Sequence, residues 1–148
     1  VLPGHHRVPC VGYLICERRN KLKPEFLDFP GQRLAELRQT GVEITSQIEI
    51  PLIAYLGDTQ RFDIGMHPLL RECRVLICEC TFLVPEHRER AKRTMHLHLD
   101  DLPALFGEFE GEHIVLTHFS KRYTTEFVRE RIQTVLPATD RDRVQLLI

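Results

Sequence analysis

The chain has 148 residues, of which 43% are hydrophobic and 28% are charged. This composition excludes a disordered chain and predicts that residues 1–148 form a single globular domain with its own core. The net charge of −1 at pH 7 excludes a global basic field for nucleic acid, and the apolar runs are too short to span a membrane.

The first third of the chain alternates extended and helical patterns. Residues 11–17 are apolar and predict a strand, whereas residues 18–23 are polar and basic and predict a loop. Pro30-Gly31 is typical of a helix start, and Gly41 lies just beyond the end of that short helix. The alternating apolar residues between 41 and 51 indicate one strand, or two strands joined by a turn.

The rest of the chain alternates strands and helices, which predicts an α/β fold. Strands are predicted at residues 52–56, 74–80, 114–118 and 143–148. Helices are predicted at residues 67–73, 86–93 and 99–109. Thr124 or Thr125 is predicted to cap a last helix, whose inner face carries Phe127, Val128, Ile132 and Val135.

Polar side chains follow three of the predicted strands. Asp58, Glu79 and His118 each stand at the end of an apolar run. Ligands and catalytic groups collect at such strand ends, so these residues and His96 indicate a hydrolytic metal site. From spacing alone, however, Asp58 also fits a turn, Glu79 a solvated carboxylate and each histidine a structural role.

The five cysteines are an odd number and lie mostly in apolar runs. Cys78 and Cys80 share one face of a predicted strand, where they either bind a soft metal or act as small buried hydrophobes. Because nothing in this pattern suggests a disulfide framework, we expect a reduced, cytoplasmic protein.

Five short segments carry a resemblance to one protein family. Residues 117–123 resemble the T-H-F-S-x-R-Y signature of ribonuclease Z, the endonuclease that matures tRNA 3′ ends. The other four, in chain order, are similar to the family's H-x-V-x-x-x-G-Y, G-D-T, E-A-T-F and H-x-H-L motifs: residues 6–13, 57–59, 79–82 and 96–99. All five occur in the family's order, and Cys80 replaces the usual alanine.

The resemblance implies a metallo-β-lactamase αββα sandwich with two zinc ions at one edge. It implies that His6, Asp58 and His118 are zinc ligands, with Asp58 bridging the two ions. Glu79 and His96 would then form the pair that donates a proton to the leaving 3′ oxygen of a pre-tRNA. The further residues implied to contact the substrate are Thr81, His98, Ser120, Arg122 and Tyr123. Between His96 and His98 the motif alone leaves the choice open.

Two family features differ in this sequence. The upstream H-x-H-x-D-H motif, which supplies the remaining zinc ligands, does not occur in this sequence. We therefore expect the chain to cover mainly the C-terminal half of the sandwich, and to pair with an N-terminal half or with a second copy as a homodimer. The family's tRNA-gripping arm would be reduced to a stretch whose basic residues either meet phosphates or are simply solvated: Arg18, Arg19, Lys21 and Lys23.

Two other functions remain open at this stage. One is a metallo-β-lactamase-fold hydrolase that acts on another ester or phosphodiester. The other is a non-catalytic fragment or subunit, whose site is completed by a partner. Half a sandwich exposes one apolar sheet face, so this alternative predicts self-association unless that face is covered.

Overall fold

The computed structural model describes the backbone of residues 1–148 and every side chain except that of residue 3. Within this description the chain forms six strands and six helices. The strands are β1 (Leu2–Pro3), β2 (Val11–Leu22), β3 (Thr45–Tyr55), β4 (Val75–Glu79), β5 (His113–Thr117) and β6 (Val144–Leu146). The helices are α1 (Gly31–Gln39), α2 (Pro68–Arg71), α3 (Arg88–Thr94), α4 (Leu102–Gly107), α5 (Thr125–Val135) and α6 (Ala138–Arg141).

The chain divides into two compact units. Residues 1–15 and 51–148 form the larger unit, and residues 16–50 form the smaller one. All the candidate site residues belong to the larger unit. The assignment of residues 1–148 to one domain stays a prediction.

The smaller unit contains the parts of β2 and β3 within residues 16–50, together with α1. The predicted short helix is confirmed as α1, but the loop predicted for residues 18–23 is wrong, because β2 continues to Leu22. Arg18 pairs with Glu49 of β3 at 3.2 Å, and Arg19 pairs with Glu17. These basic side chains are tolerated on a strand because carboxylates on the same ribbon offset their charge.

The strands form one sheet in the order β1-β2-β3-β4-β5-β6. β1 pairs with β2 antiparallel, whereas β3, β4, β5 and β6 pair in parallel. In this register Tyr55 lies opposite Ile77, and Glu79 lies opposite Thr117. Parallel strands end at the same edge of a sheet, so the residues that follow β3, β4 and β5 are brought close together.

One face of the sheet is covered by helices and forms the core. Inward-facing side chains of β4 and β5 pack here against α4 and α5, and Phe106 is fully buried. Each such side chain stabilises the fold by about 1.5–3 kcal/mol through removal from water. The buried strand and helix residues include Leu76, Cys78, Ile114, Leu116, Val128 and Ile132.

The opposite face of the sheet remains apolar and partly exposed. On β2, Tyr13 and Ile15 are 52% and 53% exposed, and on β3 Tyr55 is 44% exposed. Val75 and Ile77 of β4 are half-buried on this same face. Alternate residues of a strand point to opposite faces, so this arrangement matches the uncovered sheet expected for half of a sandwich.

The predicted elements after residue 60 are confirmed with small shifts in their boundaries. The predicted helix 99–109 begins as a single 3-10 turn at Leu99–Asp101 and continues as α4, with Pro103 in its first turn. Thr124 caps α5, and its hydroxyl accepts a hydrogen bond from the Phe127 N–H at 3.3 Å. Among the described residues, no helix combines the length and the apolar character needed to cross a membrane.

Candidate metal and catalytic site

The candidate site lies along the edge where β3, β4 and β5 end. Glu79 is the last residue of β4, and His118 follows β5 directly. Asp58 follows β3, His96 follows α3, and His6 lies between β1 and β2. The sheet therefore brings together five residues that are far apart in the sequence.

Positive backbone φ angles place three of these side chains. Gly57, directly before Asp58, has φ 65°, and Met95, directly before His96, has φ 58°. His118 itself has φ 57°. Glycine adopts this region freely, whereas a left-handed conformation costs other residues roughly 1–2 kcal/mol. Strain of this kind is concentrated at functional sites, where the surrounding structure holds it.

Glu79 is the buried centre of the site. Its carboxylate is 2% exposed and accepts hydrogen bonds from the backbone N–H groups of Thr59 (3.2 Å) and Thr81 (3.0 Å). It also accepts from the Thr81 hydroxyl at 2.5 Å and lies 2.7 Å from Nδ1 of His96. A buried carboxylate is tolerated when it is paired and hydrogen-bonded in this way.

The contact with Glu79 fixes the state of His96. Because the carboxylate only accepts, Nδ1 of His96 carries the proton, and Nε2 is directed away from Glu79. The hydrogen bond from Glu79 raises the pKa of His96 above its ordinary value of 6.5, burial opposes this rise, and the charges of Glu79 and Asp58 add to it. His96 is therefore poised to hold a second proton near neutral pH.

We expect an NMR titration of the metal-free protein to give a pKa for His96 above 6.5, and the Glu79→Gln variant to return it toward that value. A raised folded-state pKa stabilises the fold, fully below about pH 6.5 and progressively less as the pH rises through the folded-state pKa. An unchanged His96 titration in Glu79→Gln would contradict this assignment.

Thr81 links Glu79 to His118. A hydroxyl has one proton, and the 2.5 Å contact assigns it to Glu79, so Thr81 accepts from Nδ1 of His118 at 2.9 Å. Nε2 of His118 is then the nitrogen with a free lone pair. The His118 ring stacks on His96 with centroids 5.5 Å apart, and its Nδ1 lies 3.6 Å from Asp58 Oδ1.

The cluster contains side chains that could hold a metal ion. Two groups hold ligand atoms within 4.8 Å of one another: His6, Asp58 and His96, and Glu79, His96 and His118. The Nε2 atoms of His6 and His96 are 3.3 Å apart. His96 belongs to both groups, so the two groups meet at this residue.

The cysteines are placed differently. The thiols of Cys78 and Cys80 are fully buried, and this burial raises their pKa above its ordinary value. A thiol must lose its proton to bind a metal, and neither cysteine belongs to the ligand groups found among the described residues. Cys78 and Cys80 therefore act as small buried hydrophobes.

Ser120 and Arg122 line an open cleft of about 430 Å³ beside His96. Thr81 also lines this cleft, although only 8% of its surface is exposed. The predicted substrate contacts at these positions therefore lie next to the Glu79–His96 pair.

The two other predicted substrate residues differ in burial: His98 is buried and Tyr123 is half-buried. His98 is fully buried, its Nε2 donates to the Val84 carbonyl at 2.8 Å, and its Nδ1 accepts from the Asp100 N–H at 3.1 Å. These bonds hold the turn before α4, so a substrate contact does not fit His98, and His96 is the histidine beside Glu79. The Tyr123 hydroxyl lies 2.5 Å from His87 Nδ1 and accepts from the Leu83 N–H at 3.2 Å.

Sequence reasoning missed two supports of the site. The Cys10 thiol donates to the Asp58 carbonyl at 3.0 Å, and the Thr59 hydroxyl accepts from the His5 N–H at 3.1 Å. Thr59 could have been found, because its N–H follows Asp58 at a strand end, where a buried carboxylate needs donors. No local signal pointed to Cys10.

The fold and the site define a class. A solved structure of the metallo-β-lactamase fold protein YhfI from Bacillus subtilis matches 99% of this chain and 51% of that protein, with a TM-score of 0.51 and 14% identity. This likeness shows the fold: the chain is an α/β protein of the metallo-β-lactamase type, with a His/Asp/Glu cluster at the sheet edge that could hold a metal.

The chain is also similar in sequence to two curated proteins. The chain is 35% identical over 132 residues to tRNase Z TRZ2, chloroplastic, and 30% identical over 135 residues to tRNase Z TRZ1, both from Arabidopsis thaliana. These matches cover 86% and 89% of this chain, and 37% and 48% of the relatives. The chain is thus a relative of ribonuclease Z that spans less than half the length of these two proteins. No profile of a known protein family matches it.

Proposed function

We propose that this chain forms part of a metal-dependent endoribonuclease of the ribonuclease Z type, which removes 3′ trailers from pre-tRNA. The observation that carries the proposal is the 2.7 Å contact between Glu79 and His96 beside the His/Asp cluster. The names of the relatives support tRNA processing over other esters.

In this proposal His96 is the general acid. The His96 side chain lines the cleft beside Ser120 and Arg122, and the contact with Glu79 favours the doubly protonated ring. The imidazolium donates its Nε2 proton to the leaving 3′ oxygen, while Glu79 keeps the ring oriented through Nδ1. Because Glu79 is itself held by three further hydrogen bonds, the acid is fixed before the substrate arrives.

His6, Asp58 and His118 are the proposed ligands of the cation, and zinc is the proposed metal. Imidazole and carboxylate ligands in tetrahedral geometry suit zinc, and further ligands would come from outside this chain. When bound, the cation would supply Lewis-acid stabilisation of the scissile phosphate. Thr81 orients His118 through Nδ1, as the partners of metal-bound histidines do.

Ser120 and Arg122 are the proposed phosphate contacts of the substrate. The exposed Arg122 guanidinium offers paired donors that match phosphate oxygens. The Ser120 backbone N–H donates to the Thr81 carbonyl at 3.2 Å, which ties this loop to the segment after β4. The half-buried Tyr123 is a further proposed substrate contact, and its backbone N–H donates to the Ser120 carbonyl at 3.0 Å.

The uncovered sheet face is the proposed partner surface. Tyr13, Ile15 and Tyr55 form an apolar face that a second sheet would cover, either from the N-terminal half of a longer protein or from a second copy. The coverage of 37% and 48% of the relatives favours the first source. The cytoplasm is the proposed location, on the sequence pattern of cysteines that lie mostly in apolar runs.

The test is cleavage of a pre-tRNA by the protein that contains this chain and by its His96→Gln variant. We expect the variant to lose on the order of 100-fold or more in rate, because general acids typically contribute 10²–10⁴-fold. His113→Gln is the matched control, since His113 lies at the opposite end of β5 from His118 and is exposed. Equal rates for the two variants would overturn the proposal.

A small phosphodiester assayed in parallel separates the rival hydrolase. Bis(p-nitrophenyl) phosphate needs the cation, but its leaving group departs without proton donation and it needs none of the contacts to a tRNA. Efficient turnover of this ester without any cleavage of pre-tRNA would overturn the tRNA assignment and favour a hydrolase of another ester.

A further inference from the structure

Two clefts flank His96, and the same helix lines both. The first cleft, of about 430 Å³, is lined by Thr81, Phe82, Arg90, Thr94, His96, Ser120, Lys121 and Arg122. The second cleft, of about 320 Å³, is lined by Gln60, Arg61, Arg88, Lys92, His96 and Asp101. His96 is the residue that the two linings share.

The first cleft is built for an anion. Its charged lining residues are Arg90, Lys121 and Arg122, and its lining contains no carboxylate. The hydroxyls of Thr94 and Ser120 add neutral donors to the same wall. Three cations without a neighbouring acid on the wall favour phosphate groups over neutral ligands.

The second cleft is also positive, but less so. Asp101 is the one acidic residue that lines this cleft, and Arg88 neutralises its charge through an ion pair at 2.7 Å. Lys92 contacts Glu89 at 2.7 Å, with both side chains exposed, and such surface pairs are weak enough to be exchanged for a phosphate. Arg61 is exposed and adds a third cation.

Two sides of helix α3 line the two clefts. Arg90 and Thr94 are four residues apart and share one side of the helix, where they line the first cleft. Arg88 and Lys92 are also four residues apart and line the second cleft from another side. Because His96 follows the end of α3, it lies between the two rows.

We propose that the two clefts form one track for the backbone of a single-stranded nucleic acid that crosses His96. Phosphates on one side of the reacting bond lie against Arg90 and Lys121, and phosphates on the other side lie against Arg61 and Lys92. The inference rests on the proposed function, because it requires the reacting phosphodiester to lie at His96. It assigns Arg90, Lys121, Arg61 and Lys92 as backbone-positioning residues.

The test is equilibrium binding of a fluorescein-labelled single-stranded oligonucleotide of about eight nucleotides, followed by anisotropy at several salt concentrations. Arg90→Gln and Arg61→Gln are each expected to weaken binding about fivefold at low salt and to reduce the slope of log K against log[salt] by about 0.7. In the double variant the two losses multiply, and the slope falls by about 1.4.

Arg93→Gln is the matched control. Arg93 lies on the same helix and is exposed, but it lines neither of the two clefts. It should weaken binding clearly less than the two cleft variants, since a cation that lines neither cleft contacts no phosphate of the bound backbone. Arg90→Gln or Arg61→Gln behaving like Arg93→Gln would overturn the track.

The binding assay separates this inference from the proposed function. If both cleft variants lose affinity but the protein never cleaves pre-tRNA, the track stands and the proposed function fails. If the protein cleaves pre-tRNA and the cleft variants bind like the control, the proposed function stands and the track fails.

Discussion

Replacing His118 by alanine is expected to abolish cation binding and, with it, cleavage by the protein that contains this chain. His118 offers Nε2 to the cluster, while its Nδ1 is held 2.9 Å from the Thr81 hydroxyl. Loss of a direct ligand should weaken binding by more than the 10–100-fold that is typical for loss of a residue that only orients a ligand. Titration calorimetry with Zn²⁺ measures the binding, and a pre-tRNA assay measures the cleavage.

His118→Gly separates the loss of the ligand from damage to the fold. At φ 57° glycine is free of the steric cost that histidine carries, so this variant should unfold at the same denaturant concentration as the unmodified protein or a higher one. It should nevertheless bind no more Zn²⁺ than His118→Ala. The His113→Gln variant is the control. If either His118 variant binds Zn²⁺ as tightly as this control, His118 is not a ligand.

Replacing Arg143 by methionine is expected to destabilise the fold by about 3 kcal/mol or more. Its guanidinium donates to the carbonyls of Phe106 (2.7 Å), Phe109 (2.8 Å) and Gly111 (3.1 Å) and to Asp140 (2.9 Å). Methionine keeps the stem but leaves three carbonyls and a largely buried carboxylate without this donor, and breaking a buried ion pair typically costs 3–5 kcal/mol. Urea unfolding measures the change as a lower midpoint with an unchanged slope.

Two further variants test the cause of this loss. Arg143→Lys keeps the charge but lacks the planar fork, so it should recover only part of the stability. Arg129→Met, on the exposed side of α5, should change the free energy of unfolding by about 0.5 kcal/mol or less. A loss below about 1 kcal/mol in Arg143→Met would mean that water replaces these bonds.

Much of the fold could be predicted because its local signals agree. Apolar runs gave β4 and β5, and Thr124 with the apolar spacing of Val128 and Ile132 gave α5. The G-D-T, E-C-T-F and T-H-F-S segments placed Asp58, Glu79 and His118 at strand ends, where the structure has them. Short motifs are informative here because each combines a strand end with the group that emerges from it.

Other features depend on neighbours that the sequence does not reveal. The length of β2 was missed because Arg18 looks like a loop residue until Glu49 is known to lie beside it. The H-x-H-L motif alone does not predict which of its two histidines is buried. His98 is buried because its Nε2 donates to the Val84 carbonyl, which lies fourteen positions earlier in the sequence. The donor from Cys10 to the Asp58 carbonyl is equally non-local.

The position of the site residues at the sheet edge determines when they come together during folding. His6, Asp58, Glu79, His96 and His118 become neighbours only after the parallel strands β3, β4 and β5 have paired, and parallel pairing closes long loops and is slow. No partly folded species that lacks these pairings can hold the ligands together. A cation would then bind only after the sheet has formed. At a concentration one hundred times its dissociation constant, it would raise the free energy of unfolding by about 2.7 kcal/mol.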